Sequence, residues 1–159
     1  MKTYTNFNDA LNHIEYSKWS KYGMFDFSLK LKDDYINLFE KKVNHFPTRL
    51  NIIGGCLTID EYIIDRLPEN MHIYESCGLY HTMIRTLPDN MVVGLNLCIS
   101  EPKIKNLPRN LNVGKDLYIV GTKIKRLPTD LTVGGKIYIR PGQIKKIPDY
   151  LKNHIVEWQ

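Results

Sequence analysis

Several features that usually reveal a function are missing from this chain of 159 residues. No apolar run approaches the ~18 residues that a membrane-spanning helix needs, so we expect no membrane partner. The N-terminal residues lack the apolar segment of a secretory signal, which predicts a cytoplasmic protein. The three cysteines, Cys56, Cys77 and Cys98, are an odd number without a C-x₂-C pair. We interpret them as small apolar residues kept reduced, because a structural zinc site needs four ligands and close pairs.

Catalytic and cofactor motifs are missing as well. No two histidines are spaced as in the metal-binding pattern H-x-x-x-H, and the chain has no nucleophile elbow and no dinucleotide fingerprint. The Gly54-Gly55 and Gly134-Gly135 pairs lack the Lys-Ser/Thr that completes a phosphate-binding loop. The sequence therefore predicts no catalytic residue, no metal ion and no cofactor, and it favours a protein that is not an enzyme.

The chain does contain an internal repeat with a constant period. An apolar residue directly precedes a proline five times at the same 20-residue interval, in Leu67-Pro68, Leu87-Pro88, Leu107-Pro108, Leu127-Pro128 and Ile147-Pro148. A fixed period of this length is typical of a solenoid, in which each repeat buries its apolar face against its neighbours.

Each repeat has a regular pattern of inward and outward positions. In the unit that begins at Leu117, apolar and polar residues alternate, so Leu117 and Ile119 are predicted to point into the core and Tyr118 outward. We expect one short strand per repeat, and stacked repeats to form a parallel sheet. Too few residues remain for a full α-helix, so Pro128 should begin an extended or 3₁₀-like return. The fold class predicted is a β-rich solenoid.

The segment from Leu117 to Leu131 resembles a leucine-rich repeat. It matches the pattern L-x-L-x-x-N-x-L-x-x-L-P-x-x-L, and the 20-residue length is similar to the short repeats of secreted bacterial effectors. The Val-Gly-Gly segment is more similar to leucine-rich-repeat-like proteins of bacterial and bacteriophage genomes. The resemblance spans residues 36–151, about six repeats, and implies a fold but not a function. The asparagine position of the pattern holds other residues: Tyr62, Thr82, Pro102, Thr122 and Gly142.

The two ends of the chain are predicted to cap the solenoid. Residues 1–35 should form an N-terminal cap, with a helix that ends near Trp19 and a strand at about residues 25–31. Residues 152–159 should form a C-terminal cap, in which Trp158 covers the last apolar layer. A solenoid needs such caps because its terminal core is otherwise exposed.

The outward face of the strands is the first candidate binding surface. Tyr80, Tyr118, Tyr138 and Arg140 should cluster there, toward the C-terminal half of the solenoid. Tyrosine and arginine are enriched in binding hot spots because they bury area and still offer hydrogen bonds. High β-propensity explains tyrosines in strands equally well, and both interpretations stay open at this point.

The second candidate surface, the basic ladder, consists of cations that alternate with inward Ile and Leu residues: Lys103, Lys105, Lys123, Lys125, Arg126, Lys145 and Lys146. Residues 101–147 contain 11 Lys and Arg against three Asp and Glu, a net charge of +8, whereas the whole chain carries +5. Such a stripe could hold nucleic-acid phosphates or an acidic protein. Alternatively, it is a solvated face that keeps the solenoid soluble.

These observations favour non-catalytic protein binding, with a host protein as the partner. A small chain rich in Lys, Asn, Ile and Tyr suggests a bacteriophage origin. The specific hypothesis is a phage-encoded inhibitor of a host defence protein, such as an anti-CRISPR, that acts by stoichiometric binding. A nucleic-acid-binding protein that uses the basic ladder is the alternative, and a structural or virion component is a further one. The oligomeric state is not indicated.

Overall fold

The computed structural model describes residues 27–29, 52–53, 56–60, 66–100 and 103–158. The predicted N-terminal helix and most of the predicted first repeat lie outside these described residues. Within the predicted N-terminal cap, the structure describes one strand, Phe27–Leu29. This strand falls inside the segment that the alternation of apolar residues predicts as extended.

Twelve short strands form in the described part of the chain. In chain order they are β1 (Phe27–Leu29), β2 (Ile52–Ile53), β3 (Leu57–Asp60), β4 (His72–Ile73), β5 (Cys77–Tyr80), β6 (Val92–Val93), β7 (Leu97–Ser100), β8 (Asn112–Val113), β9 (Leu117–Tyr118), β10 (Thr132–Val133), β11 (Ile137–Ile139) and β12 (Ile155–Glu157). The first sheet has the order β1-β3-β5-β7-β9-β11-β12, and the second sheet has the order β10-β8-β6-β4-β2. All neighbouring strands are parallel.

The register of the first sheet follows the sequence repeat. Leu97 pairs with Leu117, and Leu117 pairs with Ile137, so register partners occupy the same position in successive repeats. From β3 to β11, parallel pairing at the repeat interval means that each coil advances by one strand spacing. The predicted β-rich solenoid, with parallel strands that follow the 20-residue period, is confirmed.

The second sheet was not predicted, because we expected a single strand in each repeat. Its strands are only two residues long, and in β10 Thr132 is exposed whereas Val133 is 6% exposed. In β4, β6, β8 and β10 the second residue therefore faces the core, and the first residue is more exposed. Each described coil thus has two flat sides joined by two turns.

The core between the two sheets is a stack of apolar layers, one from each coil. Leu117, Ile119, Ile124 and Leu131 are at most 1% exposed, and the equivalent residues of the neighbouring coils are buried too. Full burial of such a side chain contributes roughly 1.5–3 kcal/mol. Because the same positions recur in every coil, this stabilisation accumulates along the stack.

Asparagine side chains stack at one turn of the coil, after the Leu-Pro step. Asn70, Asn90 and Asn110 have φ angles of 54°, 58° and 53°, a left-handed conformation that asparagine tolerates better than most residues. The Asn90 amide donates to Asn70 Oδ1 at 3.2 Å, and the Asn110 amide donates to Asn90 Oδ1 at 2.9 Å. An asparagine stack therefore exists, but at a different turn from the asparagine position of the leucine-rich-repeat pattern.

Thr122 holds that pattern position in the structure and satisfies backbone groups there. Its side chain is buried, its hydroxyl donates to the Ile119 carbonyl at 2.8 Å, and it accepts from the Ile124 amide at 3.3 Å. In the next coil Gln143, 4% exposed, reaches back and donates to the Ile119 carbonyl at 3.0 Å. Buried polar groups at this turn are thus hydrogen-bonded, as a stable interior requires.

The described chain closes with a 3₁₀ helix, Asp149–His154, followed by β12. Strand β12 joins the first sheet beside β11, with Val156 opposite Tyr138. The sequence predicts that Trp158 covers the last apolar layer. In the structure Trp158 follows β12 and lies on the outward face of the sheet, where it is 52% exposed. No helix of the described residues is long and apolar enough to cross a lipid bilayer.

Candidate binding groove

An open groove of about 410 Å³ lies on the outward face of the first sheet, at the carboxyl ends of its central strands. We call it the aromatic groove. Its walls are formed by Tyr80, Cys98, Ile99, Ser100, Tyr118, Val120, Gly121, Arg140 and Trp158. Three of the four residues that the sequence predicted for this face, Tyr80, Tyr118 and Arg140, line the same groove.

The fourth predicted residue, Tyr138, supports the wall from the next strand. Tyr118 and Tyr138 are register partners in β9 and β11, and their rings stack with centroids 4.3 Å apart and planes 1° apart. Trp158 meets both rings at an angle, with centroids 6.1 Å from Tyr118 and 5.5 Å from Tyr138. Stacked and edge-to-face pairs at these separations are favourable geometries for aromatic rings. The three side chains therefore form one preassembled aromatic cluster.

Two glycines give the groove its shape. At Gly78 an added Cβ would lie 2.6 Å from the Tyr80 ring, so the missing side chain lets that ring fold back over its own strand. At Gly121 an added Cβ would lie 2.7 Å from Ser100 Oγ. Both are positions of close approach at which only glycine fits without a shift of its neighbours.

The groove combines hydroxyl groups, which both donate and accept hydrogen bonds, with one guanidinium, which only donates. Burial and the neighbouring Tyr138 and Asp116 raise the pKa of Tyr118 to about 12, so its phenol is protonated at neutral pH. Arg140 is exposed. Between described residues the ion pairs are Arg109–Asp89 and Lys152–Asp149, so the Arg140 guanidinium has no carboxylate partner among them. The groove is thus apolar along one wall and positively charged at one end.

The cysteines of the first sheet are protonated thiols. Cys77 is 1% exposed, and burial raises its pKa far above the usual range. Burial also raises the pKa of the Cys98 thiol at the groove, although a hydrogen bond with Tyr80 opposes that effect. Since the thiolate is the nucleophile, Cys98 is a weak one in this environment.

This difference predicts a labelling pattern. With iodoacetamide at pH 8, we expect the folded protein to leave Cys77 unmodified and to modify Cys98 more slowly than a free thiol. Both should react at comparable rates in urea, when burial is lost. Peptide mass spectrometry over a time course measures the rates. Rapid modification of Cys77 in the folded protein would mean that the inward and outward faces of β5 are reversed.

Trp158 is the groove residue that sequence reasoning assigned elsewhere. The last coil is shorter than the others, since Ile137 pairs with Ile155 and not with residue 157, and the 20-residue period therefore breaks at β12. The alternation of Val156 and Trp158 was a signal that both lie on one face of a strand. The position of Trp158 on the outward face could have been predicted only by allowing the last repeat to differ in length from the others.

Every residue of the basic ladder is exposed: Lys103, Lys105, Lys123, Lys125, Arg126, Lys145 and Lys146. They lie on the segment that joins the end of a first-sheet strand to the Leu-Pro step, so they are not part of the aromatic groove. Lys103 Nζ donates to the Thr82 carbonyl at 3.3 Å. The structure thus separates the two predicted surfaces onto different sides of each coil.

Comparison with protein-family models, with curated proteins and with solved structures finds no match for the chain. In the ranges that the structure describes, no group of three or more His, Cys, Asp or Glu side chains lies close enough to hold a metal ion.

Proposed function

We propose that the protein is a non-catalytic binding module that holds a segment of a partner protein in the aromatic groove. The observation that carries this proposal is the cluster of Tyr118, Tyr138 and Trp158 in a groove that Arg140 also lines. Aromatic residues and arginine are enriched in protein interfaces, and a few such residues supply most of the binding energy. The resemblance to leucine-rich repeats, which present a sheet face to their partners, points the same way.

The chemistry of the groove indicates what the partner segment contains. An apolar or aromatic side chain would pack against the rings of Tyr118 and Trp158, and a carboxylate nearby would pair with Arg140. At about 410 Å³ the groove holds a few side chains, so it serves as the anchor point of a larger contact on the strand face. The aromatic stack is already formed, so little side-chain freedom is lost when the partner binds.

The test is a pull-down from bacterial lysate with the tagged protein, with nuclease present. We expect one stoichiometric partner. Tyr118→Ala and Arg140→Glu should each weaken its binding by at least about tenfold, as substitutions at interface hot spots do. Tyr74→Ala is the matched control, because Tyr74 is 50% exposed and lies at a turn away from the groove. Partner binding should also slow the alkylation of Cys98.

Two results would contradict the proposal. One is a partner that the Tyr118 and Arg140 variants capture as well as the wild type does. The other is a partner that is lost equally with the Tyr74 control. The narrower hypothesis of a phage-encoded inhibitor of a host defence protein additionally requires that the captured partner belong to such a system and lose activity when bound.

A further inference from the structure

A column of four cations runs along the solenoid on the side of the basic ladder. Arg85, Lys105, Lys125 and Lys145 occupy the same position in successive repeats, and all four are exposed. Parallel pairing of the coils stacks equivalent positions at intervals of ~4.8 Å, so the column is ~14 Å long. The other members of the basic ladder flank it on both sides.

The segments that bear the column carry no acidic residue of their own to balance the charge. The four segments that bear the column, residues 83–88, 103–108, 123–128 and 143–148, contain no Asp or Glu. The ion pairs between described residues involve other cations, Arg109 and Lys152. Cations stacked this closely repel one another, and a bound polyanion would relieve that repulsion. A net positive stripe of this kind also attracts polyanions at long range.

The composition of the surface indicates which polyanion it fits. The four segments contain no aromatic residue, so they offer no platform on which unpaired bases could stack. Most of the cations are lysines, which act as flexible point charges toward phosphates and lack the rigid planar fork of arginine. A duplex carries about one negative charge per 1.7 Å of axis, so the length of the column meets several phosphates at once.

We propose that the column of Arg85, Lys105, Lys125 and Lys145 binds the phosphate backbone of double-stranded nucleic acid, one phosphate for each cation, without reading its sequence. This site is independent of the aromatic groove, because it uses different residues on a different side of the coil. A protein anchored on a partner through the groove could therefore lie against a nucleic acid at the same time.

The experiment is a fluorescence-anisotropy titration of a labelled duplex DNA of about 20 base pairs with the full chain, repeated between about 50 and 200 mM salt. With about four phosphate contacts, the slope of log K against log salt should be about −3.6, since each contact contributes about −0.9. The double variant Lys125→Gln, Lys145→Gln should reduce the slope to about −1.8. A scrambled duplex should bind equally well.

The matched control is the double variant Lys115→Gln, Lys136→Gln, which removes the same charge from exposed positions at the turn that precedes the first-sheet strands. It should keep a slope near about −3.6, as should Tyr118→Ala. A duplex RNA and a single strand of the same length complete the set. A slope near zero, equal losses in the control, or tighter binding of the single strand or of polyglutamate than of either duplex would overturn the proposal. Duplex RNA binding like duplex DNA would support it as a backbone site.

Discussion

Leu117→Asp is expected to unfold the solenoid. Leu117 is 0% exposed and lies between its register partners Leu97 and Ile137, at the centre of the apolar stack. An aspartate there would be a carboxylate without a hydrogen-bond partner, or would have to take up a proton against its normal pKa. We expect a loss of more than about 4 kcal/mol, a large part of the stability of a domain of this size.

Circular dichroism during urea and thermal unfolding measures this loss. Thr132→Asp is the matched control, because Thr132 lies in a strand of the second sheet but is exposed. Its free energy of unfolding should lie within about 0.5 kcal/mol of the wild-type value, as is usual for surface substitutions. If Leu117→Asp retained the wild-type transition, the assignment of inward and outward positions in β9 would be wrong.

The repeat made most of the described fold predictable. Because the same positions are apolar in successive units, each residue could be assigned to the inside or outside by comparison with its equivalents, without any knowledge of the fold. Leu117 and Ile119 are buried and Tyr118 is half-buried with its ring on the outward face, as their alternation predicts. A single strand with the same alternation could not have been placed in a sheet in this way.

Features that depend on contacts between coils were harder to predict. The strands of the second sheet are two residues long, too short for alternation to be recognised before the stack is known. The hydrogen bonds between Asn70, Asn90 and Asn110 arise because stacking brings equivalent side chains together. Their 20-residue spacing is present in the sequence, but the asparagine position of the leucine-rich-repeat pattern lies elsewhere in the repeat.

The aromatic groove was predictable where the period holds. Tyr118, Tyr138 and Arg140 lie on the outward face because their repeat positions require it, whereas Trp158 joins them through a coil of a different length. The exposure of the basic ladder could be predicted in the same way as the burial of the core, because its residues occupy fixed positions between inward residues.

The glycines that precede the first-sheet strands have a function in stacking. Gly94, Gly114 and Gly134 lie above one another, and the Gly114 amide donates to the Val93 carbonyl at 2.8 Å. A Cβ built on Gly114 would collide with the carbonyl oxygen of Gly94, and one on Gly134 would collide with that of Gly114. The coils approach so closely at these three glycines that their spacing there depends on the absence of side chains.

Gly114→Ala is therefore expected to destabilise the protein strongly. The collision is with backbone, which cannot rotate away as a side chain can, so adjacent coils must separate and the hydrogen bonds between them must lengthen. We expect a loss of about 3 kcal/mol, at the upper end of what overpacking costs, measured by urea unfolding.

Gly142→Ala is the informative control for this substitution. Gly142 has a φ of +68°, but an added Cβ there would have open space around it. Its cost is the strain of a left-handed alanine, about 1 kcal/mol, and Gly142→Asn should recover part of that cost. If Gly142→Ala were the more damaging of the two, backbone conformation rather than coil spacing would limit the stability of the stack. The expected order, with Gly114→Ala more damaging, means that the close contact between neighbouring coils limits the stability of the stack more than the backbone conformation at Gly142 does.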